Sequence, residues 1–122
     1  MKKFESALFA CGGTVERGIE SAKTTGFQTA NIPFEAPGIS GTYAGKVLVE
    51  SDEYDAAIYA NQKRKLLEAH LLDFSGDLYG KRITVILLER LADVEKFYDG
   101  RDERAFIRWA VMEVRKYFDQ AR

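Results

Sequence analysis

Apolar and polar residues alternate along several short stretches of this chain, which is the spacing of half-buried β-strands. In residues 67–81, LEAHLLDFSGDLYGK, the alternation places Glu68 and His70 on one face among apolar neighbours and ends in a turn-forming run. A carboxylate on an apolar face costs on the order of several kcal/mol to desolvate unless it is hydrogen-bonded or lines a wet cleft. Glu68 is therefore a candidate functional residue. The alternative is that Glu68 and His70 bond each other or lie at an exposed edge.

Further strands are predicted at residues 5–16, 38–50, 54–59 and 82–90. We expect the first of these strands to break at Gly12 and Gly13, where the chain either bulges or lets another backbone approach closely. Residues 26–32 are expected to be extended or turn-like, because Pro33 and Pro37 disfavour a helix there. The second and third strands follow each other closely and form a predicted hairpin.

The last predicted element is a helix over residues 102–121, where apolar residues recur at helical spacing on two adjacent stripes. Asp99 or Asp102 is in place to cap its start. Residues 82–90 carry apolar side chains on both faces, so we expect the helix to cover one side of that strand. Short antiparallel strands followed by one terminal helix favour a mainly β fold, a closed or nearly closed barrel with the helix packed outside. No helix-length segment lies between the strands, which argues against βαβ units.

The length and composition predict a single domain spanning residues 1–122, because a chain of this size buries one core. Hydrophobic residues make up 46% of the chain, and 18 lysines and arginines balance 19 acidic residues, for a net charge of -1. A charge so close to zero argues against nucleic acid and anionic membranes as partners. The expected partner is a small molecule. Six tyrosines and eight phenylalanines leave a single-stranded nucleic-acid binder as an alternative.

The cysteine and histidine content gives a further expectation about compartment and metals. Cys11 is the only cysteine and has no intramolecular disulfide partner, and with His70 as the only histidine it cannot complete a zinc site of nitrogen and sulfur ligands. The apolar run near the start is too short for a signal peptide, and no stretch approaches the roughly 20 apolar residues of a membrane span. We therefore expect a cytoplasmic protein. A monomer is a separate expectation.

Two stretches carry candidate ligands for an anion or a cation. In GFQTANI, Thr29 and Asn31 offer hard oxygen donors of the kind that magnesium and phosphate groups accept, although both side chains also suit backbone hydrogen bonding. The loop that runs from Gly18 to Gly26 has the terminal glycines of a phosphate-covering loop, and its Lys23 is placed to contact an anion. A flexible surface loop is the alternative. No GxxxxGK[ST] motif is present, so a P-loop enzyme is excluded.

These residues together resemble the riboflavin kinase (flavokinase) family. The resemblance lies in the GFQTANI segment, the Glu-x-His of Glu68 and His70, and the run HLLDFSGDLYGK, and it extends from about Gly13 into the terminal helix. It implies a small six-stranded antiparallel barrel, Greek-key-like, with a C-terminal α-helix. It also implies phosphorylation of riboflavin to FMN by ATP. By resemblance, Thr29 and Asn31 hold magnesium and the nucleotide phosphates, and Glu68 positions or deprotonates the ribityl hydroxyl.

The chain departs from the family pattern at a few positions. Gln28 stands in place of a proline, Glu20 and Ala22 stand where the loop usually has glycines, and residues 59–66 lack a longer insertion. A carboxylate facing phosphates repels them. The alternative function is therefore a non-catalytic flavin-binding or regulatory protein derived from the kinase fold. We expect no fused adenylyltransferase domain, so the product of an active enzyme is FMN.

Overall fold

Six β-strands and one α-helix make up the described part of the chain. The computed structural model describes residues 7–16, 28–92 and 103–121. The elements are β1 (Phe9–Thr14), β2 (Gln28–Pro33), β3 (Gly41–Val49), β4 (Asp52–Asn61), β5 (Leu66–Leu71), β6 (Arg82–Ala92) and α1 (Glu103–Ala121). All strands pair antiparallel in one sheet, in the order β1-β6-β3-β4-β5-β2. The predicted mainly β fold with a C-terminal helix is confirmed.

The two edge strands of this sheet approach each other at one end. Just after β1, the backbone N–H of Glu16 donates to the carbonyl oxygen of Asn31 in β2 at 2.8 Å. The sheet therefore curls into a barrel that is nearly closed, as predicted.

Two apolar clusters hold the fold together, one on each face of the sheet. The barrel interior is filled from all six strands and includes Ile32, Val47, Ile58, Leu67, Val85 and Leu87. On the outer face, the apolar stripe of α1 covers β3 and β4, in a cluster that includes Ala44, Ala57, Phe106, Ala110, Val114 and Phe118. Leu88 of β6 packs against this second cluster while its neighbour Leu87 lies in the first. The predicted cover on the outer face of β6 is thus confirmed at Leu88, but α1 packs mainly on β3 and β4 and not on β6 as expected.

The first strand is continuous, and the predicted break at its two glycines is wrong. Gly12 and Gly13 pair with Thr84 and Ile83 of β6 in unbroken register. A Cβ atom on Gly13 would lie 3.1 Å from the Cβ of Ile32, so the missing side chain lets β2 pack closely over β1. The absence of a side chain at Gly13 therefore serves close approach, one of the two uses expected of these glycines, and no bulge forms.

Other boundaries shift modestly from their predicted positions. Residues 28–33 are a regular strand, and β4 is longer at both ends than residues 54–59. The second half of residues 67–81 is irregular, with positive φ angles at Asp73, Gly76 and Gly80, as expected of a turn. Buried Leu78 anchors this turn in the core. The proposed helix caps Asp99 and Asp102 lie outside the described residues. Within the described residues, no helix has the length and apolarity needed to cross a membrane.

Candidate functional site

Four side chains form a line across the outer face of the sheet. Asn31 of β2 is directly opposite Glu68 of β5, Glu68 is opposite Tyr59 of β4, and Tyr59 is opposite Thr42 of β3. Directly paired residues share a face, and the sequence neighbours Ile32, Leu67, Ile58 and Tyr43 all belong to the barrel interior. The four residues therefore point away from the interior, and we call them the polar row: Asn31, Glu68, Tyr59 and Thr42.

Glu68 is half-buried and fixed by a neighbouring side chain. The Nδ2 of Asn61, the last residue of β4, donates to Glu68 Oε2 at 2.9 Å. This hydrogen bond fixes the Glu68 side chain on the outer face of β5. The prediction that Glu68 and His70 share a face is confirmed.

His70 and Thr29 form a second pair beside the polar row. The two residues are directly opposite each other on β5 and β2, and Thr29 Oγ1 lies 3.2 Å from His70 Nδ1. His70 is buried, and the desolvation of its charged form lowers its pKa to about 4. Its imidazole is therefore neutral near pH 7, which agrees with a structural role. The contact fixes the position of the Thr29 hydroxyl.

Asn31 carries a buried oxygen that lacks a partner in the described residues. The side chain is 7% exposed, and its Oδ1 makes no hydrogen bond. Leaving such an atom unsatisfied costs about 1–3 kcal/mol, so it calls for an explanation. Thr29 lies two residues earlier in the strand, hence on the same face.

The oxygen donors of Thr29 and Asn31 fit a hard cation. The described residues contain no group of three or more His, Cys, Asp or Glu side chains that could hold a metal ion, so an all-protein cage is absent there. Magnesium rarely needs such a cage, because it keeps several waters and is commonly held by one or two protein groups together with substrate phosphates. The unpartnered Asn31 oxygen and the fixed Thr29 hydroxyl match that pattern.

An open cavity of about 680 Å³ lies next to the end of β1, on the side of β2 that faces away from β5. It is lined by the end of β1, by Pro33 of β2 and by the turn before β6: residues 12–16, Pro33, Tyr79, Gly80 and Arg82. Glu16 is part of this lining and also bridges to the backbone of Asn31. Asn31 thus lies between the cavity and the rest of the polar row.

The structure brings three predicted site residues together and adds three that sequence reasoning missed. Thr29, Asn31 and Glu68 lie on one face of adjacent strands, whereas Gly18, Lys23 and Gly26 are outside the described residues. The missed residues are Asn61, Tyr59 and Thr42. Asn61 continues the alternation of β4, and this signal places it on the same face as Tyr59.

Comparison with known proteins identifies the family. The family model described as Flavokinase, riboflavin kinase, matches residues 6–118. The chain is 32% identical over 120 residues to the bifunctional riboflavin kinase/FMN adenylyltransferase of Escherichia coli (strain K12), a match covering 90% of this chain and 38% of that protein. It is 34% identical over 98 residues to the trifunctional protein RibF/MnmA of Mycoplasmoides gallisepticum, covering 73% of this chain and 15% of the relative. The chain belongs to the riboflavin kinase family and spans less than half the length of these relatives.

Solved structures share the same fold. The riboflavin kinase from Trypanosoma brucei aligns with a TM-score of 0.59 at 22% identity, over 90% of this chain and 79% of that one. A structure described as a macrolide-efflux protein from Streptococcus pneumoniae aligns with a TM-score of 0.69 at 22% identity, over 87% of this chain and 36% of the other. At this level of identity the likeness concerns the fold alone.

Proposed function

We propose that this protein transfers the γ-phosphoryl group of ATP to the terminal hydroxyl of the ribityl chain of riboflavin, which yields FMN and ADP. Family membership supports phosphorylation of riboflavin. The observation that carries the proposal is the position of the half-buried Glu68 carboxylate. Asn61 donates a hydrogen bond to it, and Glu68 lies directly opposite Asn31, whose side-chain oxygen has no partner. A fixed base beside a cation ligand is what this reaction requires.

Each residue has a distinct task in the proposed reaction. Glu68 orients the attacking hydroxyl and accepts its proton as the new oxygen–phosphorus bond forms and the bond to the ADP leaving group breaks. Thr29 and Asn31 would hold magnesium. When bound, magnesium neutralises the charge on the phosphates during transfer. The protein contributes mainly position and electrostatic stabilisation, because phosphoryl transfer needs little covalent chemistry from the enzyme.

In this proposal the two substrates lie on opposite sides of Asn31. The cavity lined by residues 12–16 lies on its β1 side, and Glu68 lies on its β5 side. We assign the cavity to the nucleotide and the Glu68 side to riboflavin. Transfer then takes place across the Asn31–Glu68 pair. Gly18, Lys23 and Gly26 remain proposed nucleotide contacts.

The direct test is to incubate the purified protein with riboflavin, ATP and magnesium and to measure FMN formation. Glu68→Gln should lower kcat by about 10²- to 10⁴-fold, because the amide keeps the shape of the side chain and loses the base. Riboflavin binding, measured by quenching of flavin fluorescence, should change by less than about threefold. Glu89→Gln removes an exposed carboxylate of β6 and serves as the matched control.

The same assay separates the proposed kinase from a flavin-binding protein without catalysis. Riboflavin binding in the absence of any FMN formation by the wild-type protein would overturn the kinase proposal. Normal turnover by the Glu68→Gln variant would remove Glu68 from the mechanism while leaving the reaction itself established.

A further inference from the structure

Thr42, at the far end of the polar row, carries the second buried and unpartnered polar atom of the described residues. Its Oγ1 makes no hydrogen bond, and the residue is 2% exposed. The two unpartnered atoms, Asn31 Oδ1 and Thr42 Oγ1, thus stand at opposite ends of one line that runs through Glu68 and Tyr59. Because adjacent strands are about 4.8 Å apart, the line is about 14 Å long.

The local backbone at Thr42 is also irregular. The pairing of β3 with β6 shifts register between Thr42 and Tyr43, where Thr42 is opposite Ala92 and Tyr43 is opposite Arg90. Such bulges re-aim side chains and are frequent beside functional sites. Two residues further along the same face, Ala44 belongs to the apolar cluster under α1. Thr42 therefore marks the point where the apolar part of the outer face gives way to the polar row.

A buried hydroxyl with no partner is destabilising in the free protein. It forfeits its bonds to water and gains none in return, whereas an isosteric valine would avoid that cost. A ligand that brings its own hydroxyl to this position would supply the missing hydrogen bond. By the same reasoning, the proposed cation would supply the missing partner of Asn31 Oδ1.

We propose that Thr42 is a binding residue for the acceptor substrate and that its hydroxyl bonds a hydroxyl of the substrate's polyol chain. The inference rests on the proposed function, in which the terminal hydroxyl of that chain lies at Glu68. Thr42 is two strand spacings from Glu68, about 10 Å. This distance suits an extended five-carbon chain with a hydrogen bond at each end. The polyol chain then lies along the polar row, over Tyr59, and leads away from the nucleotide cavity.

The test is the Thr42→Val variant, assayed for FMN formation and for binding of two flavins. Riboflavin carries the polyol chain, and lumiflavin has the same ring system without it. We expect the KM and the Kd for riboflavin to rise about tenfold, the loss of one hydrogen bond to a neutral group. The effect should fall on KM rather than kcat, and the KM for ATP and the Kd for lumiflavin should be unchanged.

A thermal melt separates this role from a structural one. In the absence of ligand, Thr42→Val should have a higher Tm than the wild type, because the unsatisfied hydroxyl has been removed. Stability and riboflavin affinity then move in opposite directions, which lost packing alone would not produce. Thr42→Ser retains the hydroxyl and should keep the wild-type KM for riboflavin within about threefold.

Each contrary result identifies what has failed. An unchanged riboflavin KM in Thr42→Val, in a wild-type protein that makes FMN, overturns this inference and leaves the proposed function intact. An equal loss of affinity for riboflavin and lumiflavin overturns the assignment to the polyol chain. If the wild-type protein neither binds riboflavin nor makes FMN, the proposed function itself is wrong, and the role of Thr42 is rejected with it.

Discussion

The side chain of Asn61 is anchored at both ends of its amide group. Its Oδ1 accepts a hydrogen bond from the backbone N–H of Arg64 at 3.1 Å, and its Nδ2 donates to Glu68 Oε2 at 2.9 Å. The first bond fixes the orientation of the second, because only the nitrogen end of an amide donates. In the proposed reaction Asn61 is therefore a positioning residue, which acts on riboflavin through Glu68.

Asn61→Asp tests this role by placing a second carboxylate against Glu68. The aspartate can still accept the Arg64 bond but offers no donor to Glu68, and its charge disfavours ionisation of the neighbouring carboxyl. We expect kcat at pH 7 to fall by about 10- to 100-fold, the equivalent of one charge-assisted hydrogen bond. The acid limb of the profile of kcat against pH should move to higher pH.

Gln62 provides the matched control in the same turn. Its Nε2 bonds the carbonyl oxygens of Ala36, at 2.7 Å, and of Ile39, so it ties the turn to the neighbouring loop without touching Glu68. Gln62→Ala should lower the free energy of unfolding by about 1 kcal/mol and leave the pH profile in place. A wild-type pH profile in Asn61→Asp would show that Asn61 does not govern Glu68.

The sequence predicts those residues of the candidate site that the spacing within a single segment makes conspicuous. Glu68 is visible because a carboxylate interrupts an apolar face, and Thr29 and Asn31 because they alternate in one short segment. Thr42 carries no such signal, since a threonine in a strand is ordinary and its unpartnered hydroxyl is a property of the folded state. Its place in the polar row depends on the pairing of four strands.

At the scale of the elements, the paired strands β3 and β6 approach each other so closely at Gly45 that no side chain fits between them. A Cβ atom there would overlap the carbonyl oxygen of Ile86 and lie 2.7 Å from Ile58 Cδ1. The register of the two strands also shifts between Ala44 and Gly45. Gly45→Ala should therefore lower the free energy of unfolding by roughly 2–5 kcal/mol, because backbone atoms must move to admit the methyl group. Denaturant unfolding of the purified variant measures the loss.

Gly38, in the loop before β3, is the control, because it has open space where Gly45 has none. A Cβ atom on Gly38 would meet nothing within 4 Å. Gly38→Ala should keep the free energy of unfolding within about 0.5 kcal/mol of the wild type. A Gly45→Ala protein that unfolds at the wild-type denaturant midpoint would show that the two strands can separate at this point without cost.

Element type was predictable where the alternation was regular. Residues 66–71 and 82–92 show the period of two plainly, and α1 shows the helical period over its whole length. The predicted break in β1 failed because glycine has two structural uses that look identical in sequence. Only the closeness of Gly13 to Ile32 shows that close packing, and not a bulge, is the reason for glycine here.

At the scale of the whole molecule, the candidate site lies beside the seam where the barrel nearly closes. Asn31 contributes its backbone carbonyl to the bridge with Glu16 and its side chain to the polar row. The nearly closed barrel could be predicted from the strand pattern, but the strand order that brings β2 beside β5 could not. That order pairs strands that lie more than thirty residues apart in the chain, and it brings Thr29 opposite His70. Local patterning does not specify such distant pairs.

The burial of His70 makes the stability of the whole molecule depend on pH. Its pKa is about 4 in the folded protein and about 6.5 in the unfolded chain. Between these values the unfolded state binds more protons than the folded state, so the free energy of unfolding rises with pH. Stability is full above about pH 6.5 and decreases as the pH falls towards 4, by roughly 3 kcal/mol in total. Urea unfolding at pH 5.0, 5.5, 6.0 and 7.0 should show this slope.

The single histidine of the chain makes the assignment testable. Carboxyl groups titrate mainly near pH 4, so between pH 5 and 6.5 the slope should come from His70. His70→Gln removes the ionisable group and retains polar atoms that can reach Thr29, so its free energy of unfolding should be nearly flat over this range, whatever its absolute value. A His70→Gln protein with the wild-type slope would mean that another group is responsible. A flat wild-type profile would mean that His70 is solvated when protonated, and that the outer face of β5 opens more readily than its burial indicates.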